Sequence, residues 1–219
     1  MAELEIEQFA DLTQTPEVRG FLHRPANANG CGLVLTHGAG SDCQTELLRN
    51  LAEAFAAAGF AVLRVNLPYR QLRPTGPPRP GDAESNRQGL KNAVAALKKA
   101  AAEKIYVGGH SYGGRQYTML CAAEPGLVDG LLLLSYPLHP PRKPDKLRTQ
   151  HFADLRTPAL FVQGSRDGFG SLSEMESAIK LIPAKTKLLP VPGAGHELKD
   201  RVGDLPGKVL AAFQEFKQP

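Results

Sequence analysis

Gly109-His110-Ser111-Tyr112-Gly113 sets a serine between glycines where an apolar segment meets a helical one. Lys104-Ile105-Tyr106-Val107-Gly108 runs into it with β character. Arg115-Gln116-Tyr117-Thr118-Met119-Leu120-Cys121-Ala122-Ala123 leaves it as a helix that ends near Pro125. A serine hydroxyl is a weak nucleophile at neutral pH, so it must be exposed, aimed and served by a base. A sharp strand-to-helix turn exposes it, and small flanking residues let the two backbones approach. The helix N-terminus adds a free amide and the positive end of a dipole, both suited to a developing oxyanion. G-x-S-x-G also occurs as an ordinary glycine-rich turn; the strand before and helix after it point to a nucleophile.

Working outward, strands and helices alternate. Residues 32–36 form a short β-rich run that ends at His37-Gly38-Ala39-Gly40. Helical spacing from about residue 45 to 58 puts Leu47, Leu48, Leu51 and Phe55 on one face, with Gly59 as the stop. Residues 60–65 read as a strand, 83–102 as a helix carrying Leu90, Val94 and Leu97, and 131–135 and 159–163 as buried strands. Residues 171–181 are helical, 187–191 a last strand, and 205–216 a closing helix. Continuous apolar strands separated by helices predict an α/β fold, a mostly parallel central sheet with helices on both faces. No G-x-G-x-x-G follows the first apolar strand, which sets a dinucleotide-binding fold aside.

Two proline-dense segments, 68–82 and 137–157, break the rhythm. Both are expected at the C-terminal ends of strands, as rims of an open site, and neither is long enough for a separate lid domain. The chain of 219 residues reads as a single domain, 1–219. Its 42% hydrophobic and 22% charged residues are those of a globular protein. The net charge of +4 is scattered, which argues against nucleic acid as partner. No apolar run approaches a membrane span and the acidic N-terminus is unlike a secretory signal. Cys31, Cys43 and Cys121 are odd in number and lack metal-like spacing, so reduced thiols in a cytoplasm are expected, with no metal.

Six histidines compete for the role of base. His196, in Val191-Pro192-Gly193-Ala194-Gly195-His196-Glu197, follows the last strand, from where an imidazole can reach over the serine. Asp167 follows the strand before it and can accept from the imidazole N–H. Its other reading is a turn aspartate beside glycine. The order serine, acid, histidine fits Ser111, Asp167 and His196. The Ala39 and Tyr112 amides are the expected oxyanion donors, with Gly38 or Gly40 as substitutes for Ala39. Tyr112 and Tyr69 either line the pocket or pack beneath it. Arg70, Arg73, Arg79 and Arg115 either reach an anionic substrate or serve as surface and structural residues.

In that order, and over nearly the whole chain, His37-Gly38-Ala39-Gly40, Gly109-His110-Ser111-Tyr112-Gly113, Asp167 and His196 resemble the α/β-hydrolase superfamily. Ser41, Arg64-Val65-Asn66-Leu67-Pro68-Tyr69 and Gly113-Gly114-Arg115 look like its small lidless dienelactone-hydrolase-like branch. That branch includes the testis-expressed and NSL-complex-subunit hydrolase-like proteins. The resemblance implies the α/β-hydrolase fold, an eight-stranded sheet with the triad loops at its C-terminal edge. The segment ahead of residue 32 is short for two leading strands, so one is expected to be missing. Dienelactone hydrolases proper use cysteine where this chain has Ser111. The expectation is a serine hydrolase of small carboxylic esters, thioesters included, with a small-molecule substrate and no cofactor. The alternatives are a non-catalytic interaction module and a peptidase or perhydrolase on the same triad.

Overall fold

Strand β3 (Cys31–Thr36) is buried along its whole length and lies at the centre of the sheet. The computed structural model describes residues 4–100, 103–199 and 203–217. Its other strands are β1 (Glu5–Asp11), β2 (Val18–Arg24), β4 (Ala61–Val65), β5 (Lys104–His110), β6 (Gly130–Leu134), β7 (Ala159–Gly164) and β8 (Thr186–Val191). They form one eight-stranded sheet in the order β1-β2-β4-β3-β5-β6-β7-β8. β1 pairs with β2, and β2 with β4, antiparallel; every other pairing is parallel.

Both leading strands are therefore present, which corrects the expectation that one is missing. β1 alternates exposed and half-buried residues over EIEQFAD, and it is an edge strand with little apolar content. That is why no apolar run announces it.

Side-chain alternation divides the core into two layers. Val34, Val107, Leu133 and Phe161 face one layer, whereas Leu33, Leu35, Tyr106, Leu132 and Val162 face the other. On the first face lie α2 (Pro68–Leu72), α3 (Asp82–Lys99), α4 (Tyr112–Ala123) and α5 (Leu172–Ile179), through Tyr69, Leu90, Tyr117 and Met175 among others. On the second lie α1 (Glu46–Ala57) and α6 (Leu205–Phe216), where Phe55, Phe60 and Phe213 meet edge to face. Truncating Phe213 to alanine there is expected to cost about 3–5 kcal/mol.

Local chemistry sets the helix ends. Ser171 and Glu174 form a capping box on α5, and Asp204 accepts from the Gly207 amide at the start of α6. α3 carries Asp82 and Glu84 in its first turn and Lys98 and Lys99 in its last, which complements its dipole. The helix read over 83–102 ends at Lys99, and residues 101 and 102 lie outside the described residues. α2 hides in the first proline-dense segment, with Pro68 at its first turn, where a missing N–H costs nothing.

Strand order reverses on either side of β3. The connection after β3 crosses by α1 on one face and the connection after β5 by α4 on the other. The loops leaving β3 and β5 diverge and open a crevice at the C-terminal edge, the usual ligand position in such sheets. No helix among the described residues is long and apolar enough to cross a membrane.

Candidate active site

Ser111 sits at the tip of the turn between β5 and α4 with φ 50° and ψ −114°, a backbone conformation that L-residues other than glycine rarely adopt. The tight crossing of β5 and α4 enforces it. A Cβ on Gly109 would strike the Gly114 amide, and one on Gly113 would lie 2.6 Å from the His37 carbonyl oxygen. Glycine at both positions lets the elbow close.

His196 arrives on the loop after β8. Its Nε2 is 2.8 Å from Ser111 Oγ, and its Nδ1 is 2.9 and 3.0 Å from the two Asp167 oxygens. An ionised carboxylate only accepts, so Nδ1 carries the proton and Nε2 accepts from the serine hydroxyl. The Asp167 side chain is fully buried. It takes further bonds from Gln163 Nε2 at 2.9 Å and from the Phe169 amide at 2.8 Å. These donors fix the carboxylate, and the Phe169 ring stacks on His196 at 4.1 Å between centroids. The imidazole is held on its edge and on its face.

The first loop is braced from below. The Leu67 amide donates to His37 Nε2 (3.1 Å), so the His37 proton is on Nδ1 and is donated to the Gly38 carbonyl (2.8 Å). Burial, the largest influence, holds this histidine down at about 4, so it stays neutral and keeps that tautomer. The Tyr69 hydroxyl donates to the Ala39 carbonyl at 2.8 Å. The carbonyls of residues 38 and 39 are thereby tied back. The Ala39 amide meets no acceptor among the described residues. Tyr112 opens α4, so its amide has no intrahelical acceptor.

A cleft of about 880 Å³ opens over this arrangement, within the usual range for small-molecule sites. Gly38, Ala39, Tyr112 and Arg115 line it beside Ser111 and His196. Both proline-dense segments border it, through Pro78, Arg79 and Pro80 on one side and Pro137 and Arg148 on the other. No group of three or more His, Cys, Asp or Glu among the described residues is placed to hold a metal.

Two expected substrate contacts are corrected. Tyr69 is 1% exposed and lies under the first loop, where its hydroxyl is spent on backbone. Arg70 is also turned inward: its guanidinium donates to the carbonyls of Ser41, Arg73, Ala39 and Gly76 at 2.8–3.3 Å. A guanidinium with four of its five N–H donors on backbone carbonyls braces the loop, and Arg70 is not among the residues lining the cleft. Arg73 pairs with Asp82 at 2.5 Å. Sequence reasoning missed Gln163, Phe169 and Arg148. Gln163 and Phe169 stand four residues before and two after Asp167, close enough to be sought as its donors. Nothing in the sequence ties Arg148 to Ser111.

A family model described as "Alpha/beta hydrolase domain" matches residues 30–205, and the chain belongs to that family. Solved structures similar to it over nearly their whole length include a dienelactone hydrolase from Anabaena variabilis, 21% identical, with a TM-score of 0.72 over 98% of this chain and 95% of that one. Est1E from Butyrivibrio proteoclasticus is 17% identical, with a TM-score of 0.74 over 95% and 98%. XC6422 from Xanthomonas campestris, described as a member of a/b serine hydrolase without lid, is 14% identical, with 0.75 over 99% and 96%. At these identities the likeness is one of fold.

Proposed function

We propose that this protein is a serine hydrolase of small carboxylic esters, with thioesters as the nearest extension. Ser111 Oγ attacks the acyl carbon while His196 Nε2 takes its proton, and Asp167 holds the imidazole and stabilises the imidazolium. The Ala39 and Tyr112 amides receive the oxyanion. His196 passes the proton to the leaving alcohol, an acyl-enzyme forms, and a water activated by His196 releases the acid. The reaction so written uses no cofactor or metal.

The observation that carries this reading is the unbroken hydrogen-bonded line Ser111–His196–Asp167, at 2.8 and 2.9 Å, opening on a cleft. An interaction module would have no use for a strained serine aimed at a histidine. Membership of the branch with the testis-expressed and NSL-complex-subunit hydrolase-like proteins is proposed on Arg64–Tyr69 and Gly113-Gly114-Arg115. A cytoplasmic location is proposed on three free, buried cysteines, and a small-molecule ester as partner, without nucleic acid or membrane, on the scattered charge.

The test is turnover of p-nitrophenyl esters of graded acyl length by the wild type and by Ser111→Ala. Turnover that vanishes with the substitution is expected. Equal turnover by both proteins, or none with any ester, would overturn the reading.

A further inference from the structure

Two arginines face the cleft without an acid to pair with. Arg115 lies on α4, one helical turn beyond Ser111, and lines the cleft half-buried. Its Nε is buried and has no hydrogen-bond partner. Arg148 comes from the loop between β6 and β7 and also lines the cleft, half-buried. Nη1 of Arg148 donates to the Pro137 carbonyl at 3.2 Å, and the Tyr136 hydroxyl holds the Arg148 carbonyl at 2.7 Å. Neither guanidinium makes an ion pair among the described residues.

The two charges are near enough to oppose each other. Arg148 is held below the usual arginine range first by burial and then by repulsion from Arg115. Half-buried His151, held down at about 4 chiefly by loss of solvation, also feels Arg115. A like-charged pair with an orphaned donor is an unfavourable arrangement in an empty cleft and a favourable one around an anion. Arg79, exposed on the proline rim, adds a third positive charge. Glu197, beside the candidate base, is an acidic lining residue and is exposed.

We propose that Arg115 and Arg148 form a carboxylate-binding subsite, so that the ester turned over at Ser111 carries a second, free carboxylate. The proposal rests on the esterase reading above and adds the substrate class. A guanidinium fork matches the two oxygens of a carboxylate. Glu197 at the rim lowers the net positive field, which suits a singly charged carboxylate over a doubly charged phosphate. Arg70 has no part in it: four backbone carbonyls engage its guanidinium, and it does not line the cleft.

The test separates binding from turnover. Binding of monomethyl glutarate and of neutral dimethyl glutarate to Ser111→Ala protein is measured by calorimetry at low salt and again at 0.3 M salt. Monomethyl glutarate is expected to bind about tenfold more tightly, with a preference that salt weakens. Adding Arg115→Gln, or Arg148→Gln on its half-exposed loop, should bring the ratio of the two affinities towards one; thermal melts verify folding of each variant. Equal affinities in the parent, a preference that survives both arginine substitutions, or tighter binding of methyl phosphate would overturn the subsite. Failure of the esterase reading registers separately, as absence of turnover of neutral p-nitrophenyl esters by the wild type.

Discussion

His110 Nε2 donates to the main-chain carbonyl of His196 at 2.8 Å, so the residue before the candidate nucleophile holds the backbone of the candidate base. The two imidazoles are 5.3 Å apart, and His110 is 7% exposed. Burial, the largest influence, lowers the His110 pKa and keeps the ring neutral, as a single-donor clamp requires.

Replacing His110 by phenylalanine keeps the bulk and removes the donor. The His196 loop loses its tether, and kcat is expected to fall about 10–100-fold with KM little changed. His110→Gln, which can still donate, should recover part of the loss. Equal kcat in all three proteins would show that the clamp does not position the base.

Asp167→Asn leaves the shape of the acid and removes its charge. An amide at that position favours the wrong imidazole tautomer, and a fall in kcat of about 10³–10⁴-fold is expected with binding much less affected. Asp145→Asn, in the exposed proline-dense segment, should leave kcat unaltered. The reverse pattern would move the acid to Asp145.

Arg70→Gln tests a brace against a substrate contact. With Arg70 gone, the Ala39 and Ser41 carbonyls each lose a donor and the loop carrying the proposed oxyanion donor loosens, so kcat should drop about tenfold for neutral and anionic esters alike. A rise in KM confined to anionic esters would make Arg70 a substrate ligand after all.

Three histidines, buried His23 and His37 and half-buried His151, are each held down at about 4, chiefly by loss of solvation. Unfolded, they titrate near 6.5. Between pH 6.5 and 4 the unfolded chain binds protons that the folded chain refuses, so stability falls as pH drops through that window and levels off below it. Urea midpoints from pH 7.5 to 4.5 should show this slope. His37→Gln should make it shallower, by at most about 1.4 kcal/mol per pH unit. A slope unchanged by the substitution would contradict the assignment.

Much of this arrangement was legible in the sequence because it rests on short-range signals. Apolar runs mark β3, β5, β6 and β7, and Leu48, Leu51 and Phe55 recur at helical spacing on α1. The positions of Ser111, Asp167 and His196 follow from strand ends and chain order. β1 escaped notice because an edge strand that alternates exposed and half-buried residues over EIEQFAD needs no continuous apolar run. The choice between pocket and packing for Tyr69 and Arg70 was not legible, because composition does not show which way a side chain turns from a short helix. Arg148 reaches the cleft by a loop closure spanning β6 and much of a proline-dense segment, which no local pattern encodes.

The central claim is that Ser111 is a nucleophile activated by His196. Intact-mass measurement after treatment with a fluorophosphonate probe addresses it most directly. One adduct per wild-type chain, mapped to the peptide containing Ser111, is predicted, with no adduct on Ser111→Ala and labelling slowed by orders of magnitude on His196→Ala. An unmodified wild-type protein, or equal labelling of all three, would contradict it.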